Sequence, residues 1–77
     1  MMEKLKTIFH EVLGVEEEQV TDSLSYHECE SWDSLKHLQL VAAIEREYDI
    51  DLDTEDIIAM EDVGKIKVII ERCRDEE

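Results

Sequence analysis

The chain has 77 residues and a formal net charge of −14, with 22 acidic side chains against 8 basic ones. That length holds a single domain over residues 1–77 with one small core, because a chain near 60 residues buries only about 60% of its unfolded surface. The excess of carboxylates excludes nucleic acid and anionic membrane surfaces as partners and favours basic protein surfaces, reached by steering that salt weakens.

Val, Leu, Ile and Phe make up 22 of the 77 residues. That exceeds the roughly 20% below which a highly charged chain stays disordered, so a folded domain is expected. Cys29 and Cys73 stand far apart, outside any Cys-x-x-Cys spacing. A secreted domain this small usually has a denser disulfide framework, so a reducing, cytoplasmic setting is expected. No apolar run approaches the roughly 18 residues a membrane span needs.

Leu5, Ile8, Phe9, Val12 and Leu13 recur at helical spacing before Gly14, predicting a first helix over about residues 2–13. His10 lies off that stripe and reads as a solvated residue. From Val15 to Asp33 the periodicity stops, and Val15, Val20, Leu24, Tyr26 and Trp32 are the residues that can pin so long a connection to a core, with one short helical turn. The tract His27-Glu28-Cys29-Glu30 offers one thiol and one imidazole without a second cluster, so a solvated loop is expected there and no metal.

A second helix is expected from Asp33 or Ser34 to near Tyr48, with Leu40, Val41, Ile44 and Tyr48 on its core face. Leu35, Leu38 and Ala42 fall on a neighbouring arc beside Ser34, a second apolar surface that a small bundle does not need internally. Thr54 or Asp53 can cap a short helical piece bearing Ile57, Ile58 and Met60. Asp62 then caps a last helix over about 62–74, with Val63, Ile66, Ile69, Ile70 and Cys73 on its apolar face and Asp75-Glu76-Glu77 fraying. The fold class is therefore all-α: a small four-helix bundle of three longer helices and one short one, with a long loop between helices one and two.

Two look-alikes need weighing. Asp49, Asp51 and Asp53 alternate like the first ligands of a calcium loop, but Thr54 stands where Gly is needed and Met60 where a bidentate Glu is needed. Asp22-Ser23-Leu24 duplicates Asp33-Ser34-Leu35, yet only Ser34 opens a regular amphipathic stretch. No nucleophile and base pair up in the sequence, so an independent enzyme is not expected.

The Asp33-Ser34-Leu35 signature heading a helix, in this four-helix layout and this acidic background, resembles the acyl carrier proteins and peptidyl carrier domains, the phosphopantetheine-attachment family. The resemblance covers essentially the whole chain. It implies that Ser34 carries 4′-phosphopantetheine, donated by coenzyme A through a separate magnesium-dependent phosphopantetheinyl transferase. It further implies that Asp33 helps engage the transferase and its metal, and that Leu35 packs or contacts partners.

The arm's thiol, rather than either cysteine, would hold an acyl or aminoacyl group as a thioester and deliver it to partner enzymes. Those partners would be an acyl- or aminoacyl-loading ligase and a downstream acyltransferase or synthase with basic docking surfaces. An acyl chain would find its lining among Leu40, Ile44, Ile57, Ile58, Ile66 and Ile70. Candidate partner contacts are Leu38, Ala42, Glu45 and Glu47. Fatty-acid carriers commonly have Gly two before the Asp and acidic or small residues after Ser-Leu; here Ser31-Trp32 precede Asp33 and Lys36-His37 follow Leu35. The chain is thus more similar to discrete, monomeric carriers of dedicated biosynthetic pathways. The alternative is a non-modified interaction subunit of the same fold, docking its acidic helix on a basic partner.

Overall fold

The computed structural model describes residues 2–75, and among them the chain forms four α-helices and one 3-10 turn with no strand. Helix α1, Met2–Leu13, buries Leu5, Ile8, Phe9 and Leu13. It stops at Gly14, whose φ of 75° lies in the left-handed region and whose N–H reaches the His10 carbonyl at 2.9 Å. His10 is exposed as its position predicts, but it is not idle: its Nδ1 donates to the Val15 carbonyl at 2.9 Å and folds the chain over the helix end.

The connection from Gly14 to Asp33 contains the single expected turn, Glu17–Gln19. Val20 and Trp32 are fully buried and Val15, Leu24 and Tyr26 half-buried, so all five predicted anchors reach the core. The backbone explains why this loop is ordered. Tyr26 N–H donates to the Glu61 carbonyl at 2.8 Å, Val63 N–H to Leu24 at 3.0 Å and Gly64 N–H to Asp22 at 3.0 Å. Two otherwise unpaired amides of the last helix are thereby satisfied by the loop. Gly64, a helical position that usually favours Ala, is explained by the same approach, since a Cβ there would meet the Asp22 carbonyl oxygen at 3.3 Å.

Helix α2, Ser34–Tyr48, turns Leu40, Val41, Ala43, Ile44 and Tyr48 to the core. It ends at Asp49 in the left-handed conformation, φ 54°. Glu45 then accepts the Leu52 N–H at 2.9 Å and pins the following turn, from which Ile50 and Leu52 enter the core.

Helix α3, Thr54–Ala59, is capped by Asp53, whose carboxylate accepts the Asp56 N–H at 2.9 Å. Its buried Asp56 pairs with Arg72 of helix α4, Val63–Asp75, and the paired carboxylate holds the guanidinium's proton more firmly than usual. Asp62 caps α4 through the Lys65 N–H at 2.7 Å. The α4 helix runs one residue past the expected end, and the fraying expected of Glu76 and Glu77 falls outside the described residues. The acidic alternation at 49–53 is thus spent on a helix C-cap and an N-cap.

Candidate functional site

Asp33 decides what Ser34 can do. A serine at a helix start is by default the N-cap, but here Asp33 takes that role: its backbone is extended and its Oδ1 accepts the Lys36 N–H at 2.8 Å. Ser34 becomes the first helical residue, exposed, with its hydroxyl free of capping. The amides of Ser34 and Leu35 head the helix without carbonyl partners one turn back, which gives this end a partial positive charge. The duplicate motif has no such setting. Ser23 lies in a turn with its hydroxyl 3.1 Å from that of Thr21.

Around Ser34 the loop and two helices form a groove of about 300 Å³. Tyr26, Ser34, His37 and Leu38 line one side, and Ile57, Ile58, Met60 and Glu61 the other. The lining is mostly apolar, with the Ser34 hydroxyl on its rim. Glu61 sits at the rim as a carboxylate: the hydrogen bond and charge of Lys65, 2.7 Å away, hold it below the ordinary carboxylate range. The six residues expected to line an acyl site therefore divide. Leu40, Ile44, Ile66 and Ile70 are fully buried in the closed core, and only Ile57 and Ile58 face the groove.

His37 holds the groove's two walls in register. Its Nδ1 accepts the indole N–H of buried Trp32 at 2.9 Å, so Nε2 bears the proton and donates to the Ile57 carbonyl at 2.8 Å near the end of α3. Trp32 stacks on the imidazole at 6.0 Å and meets Phe9 edge-on at 5.2 Å, which carries the link into the α1 core. Tyr26 completes the cluster, with its hydroxyl 3.3 Å from the Ser34 Oγ. Sequence patterning singled out Tyr26 and Trp32 only as anchors and gave His37 no place in the site. The available signal was two aromatic residues and a histidine flanking the serine, a pattern that points to no particular contact.

Leu35 and Leu38 project into solvent, 65% and 59% exposed, and Ala42 is exposed on the same side of α2. Glu45 follows on that face, half-buried and bonded to Leu52. Glu47 does not join them: it borders a separate groove against α1, with Lys4 and Arg46. Among the described residues no three His, Cys, Asp or Glu side chains converge to hold a metal, and no helix is long and apolar enough to cross a membrane. Among the described residues neither Cys29 nor Cys73 forms a disulfide.

A helical bundle with an uncapped serine heading its second helix beside an apolar groove has the architecture of a carrier domain. The chain matches the phosphopantetheine attachment site family over residues 3–67, and it belongs to that family. Its fold is similar to the solution structure of a holo acyl carrier protein from Geobacter metallireducens, with a TM-score of 0.85 and 23% identity over 97% of this chain and 86% of that one. The protein is accordingly a carrier for covalently attached 4′-phosphopantetheine rather than a catalyst. Carrier proteins generally interact with phosphopantetheinyl transferases and acyl-handling enzymes.

Proposed function

We propose that Ser34 is the attachment point and that the chain, acting as a single monomeric carrier domain in the cytoplasm, shuttles an acyl or aminoacyl group in a dedicated biosynthetic pathway. One observation carries the reading: Asp33 performs the capping, so the hydroxyl of the first helical residue is left exposed and uncommitted to the backbone. In the transfer from coenzyme A, the Ser34 oxygen forms a bond to the pantetheine-bearing phosphorus. The pyrophosphate P–O bond breaks, adenosine 3′,5′-bisphosphate leaves, and the hydroxyl proton passes to a base of the transferase.

The head of α2 suits the phosphodiester because its unpaired amides and dipole favour an anion. When bound, the arm supplies a terminal thiol that holds the cargo as a thioester. Asp33 presents a carboxylate beside the serine for the transferase and its metal, and Leu35 offers an exposed apolar contact. Leu38, Ala42 and the free edge of Glu45 extend that surface for a loading ligase and a downstream acyltransferase or synthase with basic docking faces. Glu47, on the α1 side, would serve a partner only by wrapping around the helix.

The test is mass spectrometry after incubation with coenzyme A and a broad-range transferase. Wild type and Ser23→Ala are expected to gain the mass of one arm and Ser34→Ala none. A wild-type chain that gains nothing returns the molecule to an unmodified interaction subunit, and addition that survives Ser34→Ala moves the site elsewhere.

A further inference from the structure

Among the described residues Tyr26 is the side chain that hydrogen-bonds the Ser34 hydroxyl, and attachment chemistry as such does not require it. We propose that Tyr26 is a positioning residue: its phenol orients the Ser34 oxygen and, once that oxygen is esterified, hydrogen-bonds the phosphodiester and directs the base of the arm along the groove between α2 and α3. The proposal rests on Ser34 being the attachment point.

The strength of the contact argues for the second role. At 3.3 Å the Tyr26–Ser34 pair is long for two hydroxyls, whose bonds cluster near 2.7–2.8 Å. A neutral bond so stretched holds its partner loosely. Replacing the serine proton with a phosphodiester puts anionic oxygens one phosphorus atom beyond Oγ, and bonds to an ionised acceptor are shorter and roughly twice as strong. The phenol is therefore better placed for the modified serine than for the free one.

The phenol is also fixed in advance, so little ordering entropy is lost when it binds. Its own amide is tied to the Glu61 carbonyl at 2.8 Å, and the neighbouring Ser25 pairs with Asp62. The ring packs edge-on against Trp32 at 6.1 Å and His37 at 5.8 Å. His37 in turn is locked between Trp32 and the Ile57 carbonyl. Swinging the phenol away from Ser34 means giving up these ring contacts. Tyr26 and Ser34 share the groove wall, so an arm held by Tyr26 starts out over Leu38 and Ile58 rather than towards bulk solvent. Tyr26 makes and breaks no covalent bond in this scheme: by donating to Oγ it leaves the Ser34 proton available to the transferase's base.

The experiment compares wild type, Tyr26→Phe and Ser34→Ala, all with coenzyme A and one transferase. The phenylalanine keeps every ring contact, and an unchanged Trp32 fluorescence spectrum checks that the cluster is intact. The expected result for Tyr26→Phe is a KM for the carrier within about twofold of wild type and a kcat lower by about three- to tenfold, the range of one hydrogen bond. The holo variant is expected to show a displaced phosphodiester 31P resonance and faster motion of an isotopically labelled arm. A 31P resonance identical to that of wild type overturns the proposal whatever the rates. A wild-type chain that takes up no arm overturns the attachment reading itself, and with it this role, which keeps the two failures distinct.

Discussion

Trp32 is the largest fully buried side chain and has one polar atom, so the fate of its indole N–H is a stability question at the scale of a single residue. His37 supplies the acceptor. Removing an acceptor from a buried donor costs the desolvation of that donor, about 1–3 kcal/mol, against roughly 1 kcal/mol for the net worth of an ordinary hydrogen bond. His37→Ala is therefore expected to lower the free energy of unfolding by about 1–3 kcal/mol, read by urea titration at constant m. His37→Gln, which keeps a side-chain acceptor, should recover part of that loss; if the alanine variant loses under about 0.5 kcal/mol, the network does not hold the indole as described. The same residue shows where sequence reading stops. The helical period places His37 at a boundary position of α2, but its value comes from Trp32, five residues before it, and Ile57, twenty after it. Nothing local in the sequence announces that triangle, because the third corner is a backbone carbonyl that tertiary packing delivers.

At the scale of elements, caps and apolar spacing made the helices readable. Asp33, Asp53 and Asp62 each accept the amide three residues on, and a capped start followed by a three-four apolar stripe fixes a helix to within a residue or two. What capping could not decide was whether Asp33 or Ser34 held the cap, and that choice governs the site. The capping role of Asp33 and the role proposed for it with the transferase can be pulled apart. Asn caps a helix about as well as Asp, whereas Ala costs about 0.5–2 kcal/mol. Asp33→Ala should thus lower the melting temperature while Asp33→Asn leaves it near wild type, yet both should slow arm transfer because neither presents a carboxylate to the transferase's metal. Melting curves alongside transfer rates check this; an asparagine variant modified at the wild-type rate would leave Asp33 as a cap alone. The residues expected to line an acyl chain divide for a related reason. The helical stripe identifies Leu40, Ile44, Ile66 and Ile70 as buried, but it cannot distinguish a sealed core from a groove wall, and the groove lies where the Tyr26 loop, α2 and the six-residue α3 meet.

For the whole molecule the dominant fact is the charge of −14 carried on a body with principal extents of 33, 23 and 19 Å. At about 0.01 M ionic strength the screening length is about 30 Å, so each carboxylate feels nearly all the others. At about 0.15 M it is about 8 Å, and only close neighbours interact. The ion pairs that favour the fold act at short range: Lys65 to Glu61 at 2.7 Å, Lys67 to Asp22 at 3.0 Å, and Arg72 to the buried Asp56. Salt should therefore remove more repulsion than attraction, because the net repulsion is spread over the molecule while the attractive pairs are close and one of them is partly buried. The melting temperature is expected to rise between 0.01 and 0.15 M sodium chloride and then level off. Association with a basic partner should move the other way, its on-rate falling over the same range because steering depends on the long-range field. A melting temperature that falls with salt would mean the few cations contribute more to the fold than the crowding of carboxylates takes away. Variants lacking Lys65, Lys67 or Arg72 would then show which pair is responsible.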